Sequence, residues 1–222
     1  NKTEVENLAS FNIRTLFDRT EDNRLAVGFK INPSTWVVNT VPWAISCGGI
    51  MLDTAGLNVD RFEIGYGEQQ MAVHGAYSAK DREHLSLTLS SFSLSHLDDI
   101  LQSQNIPYQF GGTISGRALL FKYEDQPLFY ANMQALDVAT NGDLLGNIRI
   151  RSVWDSESSR LRLSTAIMRG ANTLLDARGS FIPRTSNLEF SINVNKLPVV
   201  HAEPFLIGAM SNLEGSLSGQ LK

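Results

Sequence analysis

The sequence predicts a mainly β protein, an elongated, curled, antiparallel-rich sheet that forms a taco-like trough with an apolar inner face and one or a few short helices. Three observations lead there. Apolar and polar residues alternate from about Arg24 onward, most clearly in LSLTLS (85–90), NIRIRSVW (147–154), RLRLSTAI (160–167) and LEFSINV (188–194), and a period of two puts successive side chains on opposite faces of a strand. Turn-forming clusters separate these runs. The third is a repeat: GGTISGRALL at 111–120 is echoed by NLEGSLSGQLK at 212–222.

The repeat extends upstream of both phrases. With Gly75 set on Gly179, Met71 meets Leu175, Val73 meets Ala177 and Tyr77 meets Phe181. After a one-residue deletion Leu85, Leu87 and Leu89 fall on Leu188, Phe190 and Ile192. Gly75 and Gly179 stand 104 residues apart, too long for a propeller blade of about 40–50 residues. The expected organisation is one elongated β domain over 1–222 with approximate repeat units 30–120 and 121–222.

Taken in order, the elements begin with a helix near residues 4–17, where Thr3-Glu4-Val5-Glu6 forms a capping box ahead of Leu8, Phe11 and Leu16. Strands follow, with turns at Gly65-Tyr66-Gly67-Glu68, Asn141-Gly142-Asp143, Gly170-Ala171-Asn172 and Pro183 to Asn187. Asp155 to Ser159 divides two alternating runs so evenly that it predicts a hairpin. Leu97–Gln102 and Pro204–Ala209 each suit one helical turn at corresponding places in the two repeats. The chain ends on Leu221-Lys222 inside a strand-like pattern, so it reads as a piece of a longer protein.

Composition narrows the function. The 222 residues are 42% hydrophobic and 19% charged, which suits a folded core. Net charge is −4 and the 19 Lys and Arg are scattered, so no nucleic-acid partner is expected. The single cysteine, Cys47, excludes an intrachain disulfide and a Cys-based zinc site, and reads as small apolar filler. No apolar run reaches the 18 or more residues of a membrane helix, and residues 1–10 lack a signal-peptide layout.

Chemistry is sparse as well. His74, His84, His96 and His201 lack metal-ligand spacing, so no metal and no cofactor are expected. His96 with Asp98 and Asp99 reads as an acidic helix start. Neither a dinucleotide-binding glycine pattern nor a nucleophile elbow is present. Asp53, Asp60, Glu63 and Glu68 read as solvated carboxylates rather than a glycosidase pair, and Trp36, Trp43 and Trp154 as strand-pair packing rather than sugar platforms. The chain is therefore expected not to be an enzyme.

The order of LGNIRIRSVWDSESSRLRLS, then ANTLLDARGSFIPRTSNLEFSINVNKLPVVHAEPFL, then NLEGSLSGQLK resembles the TamB-type translocation and assembly module proteins of Gram-negative envelopes, in their Bacteroidetes-like version. That family belongs with the AsmA-like, bridge-like lipid-transfer proteins. The carrying residues are the hairpin at Ser152 to Asp155, the strand end at Gly179 to Pro183, the alternating LEFSINV run, Gly215 to Gly219, and STWVVNTVPWAIS at 34–46. The resemblance covers roughly residues 30–222. It implies a periplasmic, trough-shaped β-sheet within a longer protein anchored in the inner membrane. The implied role is phospholipid transport between the inner and outer membranes, with an outer-membrane barrel protein as partner.

On that reading the groove is lined in the first repeat by Met71, Val73, Tyr77, Leu85, Leu87 and Leu89. The second repeat supplies Leu175, Ala177, Phe181, Leu188, Phe190, Ile192 and Val194, while His74 and Arg178 point to solvent. Phospholipid acyl chains are the expected ligand, and open strand edges are expected to drive self-association. Three alternatives stand beside it: outer-membrane protein assembly by β-strand pairing, a β-rich adhesin or carbohydrate-binding module, and an ordinary closed β-sandwich core.

Overall fold

Extended chain with apolar and polar residues in alternation has its backbone donors satisfied only by neighbouring strands, and that requirement organises the whole molecule. The structure is a computed structural model describing residues 8–10, 12–19, 23–38, 40–78, 83–98, 108–123, 126–201 and 215–221. Its strands, in order, are β1 (Leu8–Ser10), β2 (Ile13–Arg19), β3 (Leu25–Val38), β4 (Val41–Asp53), β5 (Gly56–Tyr66), β6 (Gln69–Ser78) and β7 (His84–Ser93). They continue as β8 (Phe110–Tyr123), β9 (Gln126–Thr140), β10 (Asp143–Asp155), β11 (Arg160–Arg169), β12 (Asn172–Ile182), β13 (Asn187–Pro198) and β14 (Ser216–Leu221). Hydrogen-bonded neighbours follow chain order from β3 to β14, and the order does not close on itself. The protein is thus mainly β and antiparallel, as the alternation predicts.

The start of the chain differs from expectation. Residues 8–10 and 13–19 are strands, not part of a helix over 4–17, and both pair with β3, Leu8 opposite Val37 and Ile13 opposite Ile31. Asn12 links them by accepting the Asn32 amide through its carbonyl at 3.1 Å. An isolated helix shorter than about 12–15 residues is marginal in water, whereas the free edge of β3 offers a partner for every second amide. The capping box itself lies outside the described residues.

The chain divides into two compact units, residues 1–92 with 117–129 and residues 93–116 with 130–222, so the units interleave where the repeat reading divides the chain at residue 120. In the first unit the buried residues include Trp43, Ile45, Cys47 and Val59. The Trp43 ring lies tilted, 6.0 Å from both Tyr66 and Phe92, and Cys47 is a buried free thiol. In the second unit Ala135, Val138 and Leu145 form the buried cluster, with Leu94, Ile114, Ile148, Ile167 and Leu197 packed on it.

The hairpins are built by local chemistry. Asn141-Gly142 has positive φ at both central residues, 51° and 87°, the conformation that matches the twist of a two-residue hairpin. The expected hairpin at Asp155–Ser159 forms between β10 and β11: Asp155 Oδ1 accepts from the Glu157 and Ser158 amides at 3.2 and 3.4 Å, and Arg162 pairs with Oδ2 at 2.5 Å. Asp53 repeats the device between β4 and β5, taking the Ala55 and Gly56 amides at 2.7 and 3.0 Å and Arg24 at 3.0 Å. The Ala55 amide foremost, with Arg24, holds the Asp53 carboxyl below its ordinary value.

Helix is confined to short turns. A 3₁₀ turn at Leu94–Leu97, capped by Ser93 Oγ accepting from the Ser95 amide at 3.3 Å, comes just ahead of the turn expected at 97–102. Another spans Pro183–Thr185, and Ser186 closes it at φ 52°. Residues 99–107 and the turn expected at Pro204–Ala209 lie outside the described residues.

Candidate functional site

Directly opposed residues of an antiparallel pair share a face, so the register reads out each face of the sheet. In the first unit one cross-strand row runs Ile13, Ile31, Cys47, Phe62, Val73, Leu87 over six strands without a polar side chain. Flanking it are Ile45, Ile64, Met71 and Leu89 on one side and Ile50, Val59, Gly75 and Leu85 on the other. Tyr77 lies opposite Leu57, a row further along. The other face presents Asn58 with Ala76, Glu63 with Ala72 and Thr88, His74 with Ser86, and Gln70 with Ser90. His74 is exposed and Val73 half-buried.

The second unit repeats the partition. Ala135, Ile148, Ile167, Leu175, Val194 and Gly219 form one row, and Met133, Ile150, Thr165, Ala177, Ile192 and Leu221 the next. Phe190 lies opposite Gly179, and Phe181 lies opposite both Leu161 and Leu188. The reverse face carries Arg149, Arg151, Arg162 and Arg178 among serines and asparagines. All thirteen residues expected to line a groove therefore fall on the apolar faces, seven in this unit and six in the first. They are not equally covered: Ala177 is buried, most are half-buried, and Leu188 is 58% exposed.

Glycine makes the rows fit. An added Cβ at Gly75 would collide with the His84 carbonyl oxygen, and one at Gly179 with the Glu189 carbonyl oxygen. In both repeats the glycine thus meets the residue just before its cross-strand partner, Leu85 or Phe190. Gly75 also sits at φ 108°, where a side chain is strained. The Phe190 ring fills the space at Gly179, its Cγ 2.8 Å from where that Cβ would stand.

The polar candidates are dispersed. Asp53 is engaged with Arg24, and Glu63 with Arg61 at 2.8 Å. Asp98 accepts the Phe110 amide at 2.8 Å. His74 and His84 are exposed, and no group of three or more His, Cys, Asp or Glu among the described residues could hold a metal ion. Trp36 and Trp43 face each other across β3 and β4, the first exposed and the second buried, while Trp154 lies opposite Leu161.

Sequence reasoning missed a buried polar cluster. Thr140 Oγ1 lies 2.8 Å from His201 Nδ1, and Arg169 lies 3.3 Å from Nε2 while donating to the Leu145 carbonyl at 3.2 Å. Burial first, and then the Arg169 charge, push the His201 imidazole below its ordinary value. Sixty-one residues separate Thr140 from His201, and no local pattern announces the contact. Two fully buried serines were also not singled out: Ser86 Oγ accepts from Arg117 Nε at 2.9 Å, and Ser152 Oγ accepts from the Ala131 amide at 2.6 Å.

Together these features define a class of protein: an open antiparallel β-sheet whose two units each carry an apolar and a polar face. No protein-family model, no curated protein and no solved structure matches the chain. Among the described residues no helix is long and apolar enough to cross a membrane.

Proposed function

We propose that this chain is a non-enzymatic part of a periplasmic lipid conduit, in which the apolar faces take the acyl chains of phospholipid moving between the inner and outer membranes. The observation that carries the reading is the pair of apolar rows that cross consecutive strands in both units, from Ile13 to Leu87 and from Ala135 to Gly219. The envelope location, an inner-membrane anchor elsewhere in the parent protein and a barrel partner follow from the resemblance of the motifs between residues 30 and 222.

The energetics fit. Exposing acyl chain to water costs about 0.8 kcal/mol per methylene, so a lipid with about 28 methylenes faces a penalty above about 20 kcal/mol that a dry apolar surface removes. Rows of Ile, Leu, Val, Met and Phe without a fixed polar contact give similar energies along their length, which favours sliding over capture. The half-buried state of most of these residues supports a surface that something else completes.

A second reading, assembly of outer-membrane proteins by strand pairing, is favoured by β14, whose six residues are all exposed and whose outer edge has no partner among the described residues. Mass spectrometry of organic extracts from the purified chain separates the two. Phospholipid recovered in near-stoichiometric amount is expected. An extract free of lipid, together with binding of an extended peptide that protects β14 amides from exchange, would move the assignment to strand pairing.

A further inference from the structure

Although the protein is acidic overall, residues 149–178 hold six arginines against three acids, Asp155, Glu157 and Asp176. Cross-strand register puts five of the six, all but Arg169, on the polar face, and four of these line one depression. Arg151 lies opposite Ser164 and Ser164 opposite Arg178, so the three form one row across β10, β11 and β12. At a strand spacing of about 4.8 Å the two arginine backbones are about 10 Å apart, with Ser164 between them. Arg162 follows two positions along β11, beside Ser180, and Arg160 two further toward the turn. These side chains line a depression of about 1000 Å³, with Leu163, Leu188 and Phe190 as apolar walls and Glu189 as its one acid.

The guanidinium groups have hydrogen-bonding capacity to spare. Arg162 holds Asp155 at 2.5 Å and Arg178 holds Asp176 at 3.0 Å, but these arginine side chains are 68% and 75% exposed. Ion pairs so exposed are weak, and each guanidinium keeps further N–H donors beyond the pair. Arg151 has no ion-pair or side-chain hydrogen-bond partner among the described residues. Arg160 Nε is shut away from solvent and has no acceptor among the described residues, which leaves a buried donor unsatisfied. An anion with several acceptor oxygens would satisfy donors from more than one of these forks at once.

We propose that this depression is an anion site for a phosphate-bearing ligand, held by Arg151, Arg160, Arg162 and Arg178 with the Ser164 and Ser180 hydroxyls assisting. Phosphate suits it better than carboxylate, because its several equivalent oxygens can engage more than one guanidinium fork at once, and four arginines outnumber the single Glu189. Its charged groups belong to the polar face, although Leu188 and Phe190 of the apolar face border the same depression; the proposal goes beyond the acyl-chain reading, and its test reads phosphate rather than acyl-chain binding. The phosphate has two possible sources, a soluble phosphorylated compound and the headgroup of a bilayer lipid.

The test uses the full chain at low ionic strength, where such contacts are least screened. Inorganic phosphate is titrated calorimetrically, and flotation is measured with vesicles of phosphatidylcholine alone or mixed with phosphatidylglycerol. Arg151→Gln and Arg162→Gln should each weaken binding about tenfold, equivalent to about 1.4 kcal/mol. Arg151→Lys, which keeps the charge and loses the fork, should weaken it severalfold, and the exposed Arg14→Gln in the first unit should change nothing. Circular dichroism confirms that each variant is folded. Phosphate binding without vesicle binding assigns a soluble ligand; vesicle binding that needs phosphatidylglycerol and fails in the same variants assigns a lipid headgroup. Binding of neither probe, or binding unchanged in the folded Arg151 and Arg162 variants, overturns the proposal.

Discussion

Val73 and His74 are adjacent in β6 and face opposite ways, which makes them a matched pair for testing the apolar face. Val73 sits between Phe62 on β5 and Leu87 on β7, whereas His74 lies opposite Ser86 on the polar side. In Val73→Glu a carboxylate on a short stem stands among apolar neighbours and either loses water or drags water onto the face. If about four acyl methylenes lose apolar contact there, at about 0.8 kcal/mol each, lipid occupancy falls by about 3 kcal/mol, on the order of a hundredfold. The folded state should lose only about 1–3 kcal/mol, since Val73 is half-buried. His74→Glu should keep both its stability, within about 0.5 kcal/mol, and its lipid. The assay is lipid content by mass spectrometry on protein whose urea midpoint shows it folded. A folded Val73→Glu chain with undiminished lipid, or a His74→Glu chain that loses as much, would refute the assignment of faces to functions.

Gly179→Ala should cost about 1–3 kcal/mol in urea denaturation, because its Cβ meets the fixed Glu189 carbonyl and the Phe190 ring, while Gly219→Ala, with nothing within 4 Å, should be close to neutral; equal midpoints would mean the strands do not approach so closely. The depressed His201 ionisation makes the folded state refuse a proton that the unfolded chain accepts near its ordinary value of 6.5. Stability should therefore be full above that pH and decline below it, and His201→Gln should flatten the slope of urea midpoint against pH between 7.5 and 5; an unchanged slope would assign the pH dependence elsewhere. Exposed along its whole length, with Leu217 and Leu221 outward, β14 should drive self-association as concentration rises; light scattering that reports a strict monomer at high concentration would count against an available edge.

The two faces were legible in the sequence because side-chain parity is a local property of extended backbone. Once 85–90 or 188–194 is strand, Leu87 and Phe190 must lie on the side away from Ser86 and Glu189. Turn chemistry is local too, so the Asp155–Ser159 hairpin and the Asn141-Gly142 turn were readable from their residues alone. The edge strands at 8–10 and 13–19 were not, since a helix or a strand suits that stretch until the free edge of β3 decides between them. Nor were the bulges at Asp60-Arg61 and Leu174, each of which shifts the register between one pair of neighbouring strands. The arginine cluster also belongs to tertiary structure: its members are spread over 28 positions and become neighbours only because Ser164 pairs with Arg151 on one side and Arg178 on the other. Alternation by itself determined which residues could share a face. Which of them actually meet depends on long-range strand register, set by the summed free energy of backbone pairing and apolar burial over the whole sheet, a sum that no single segment contains.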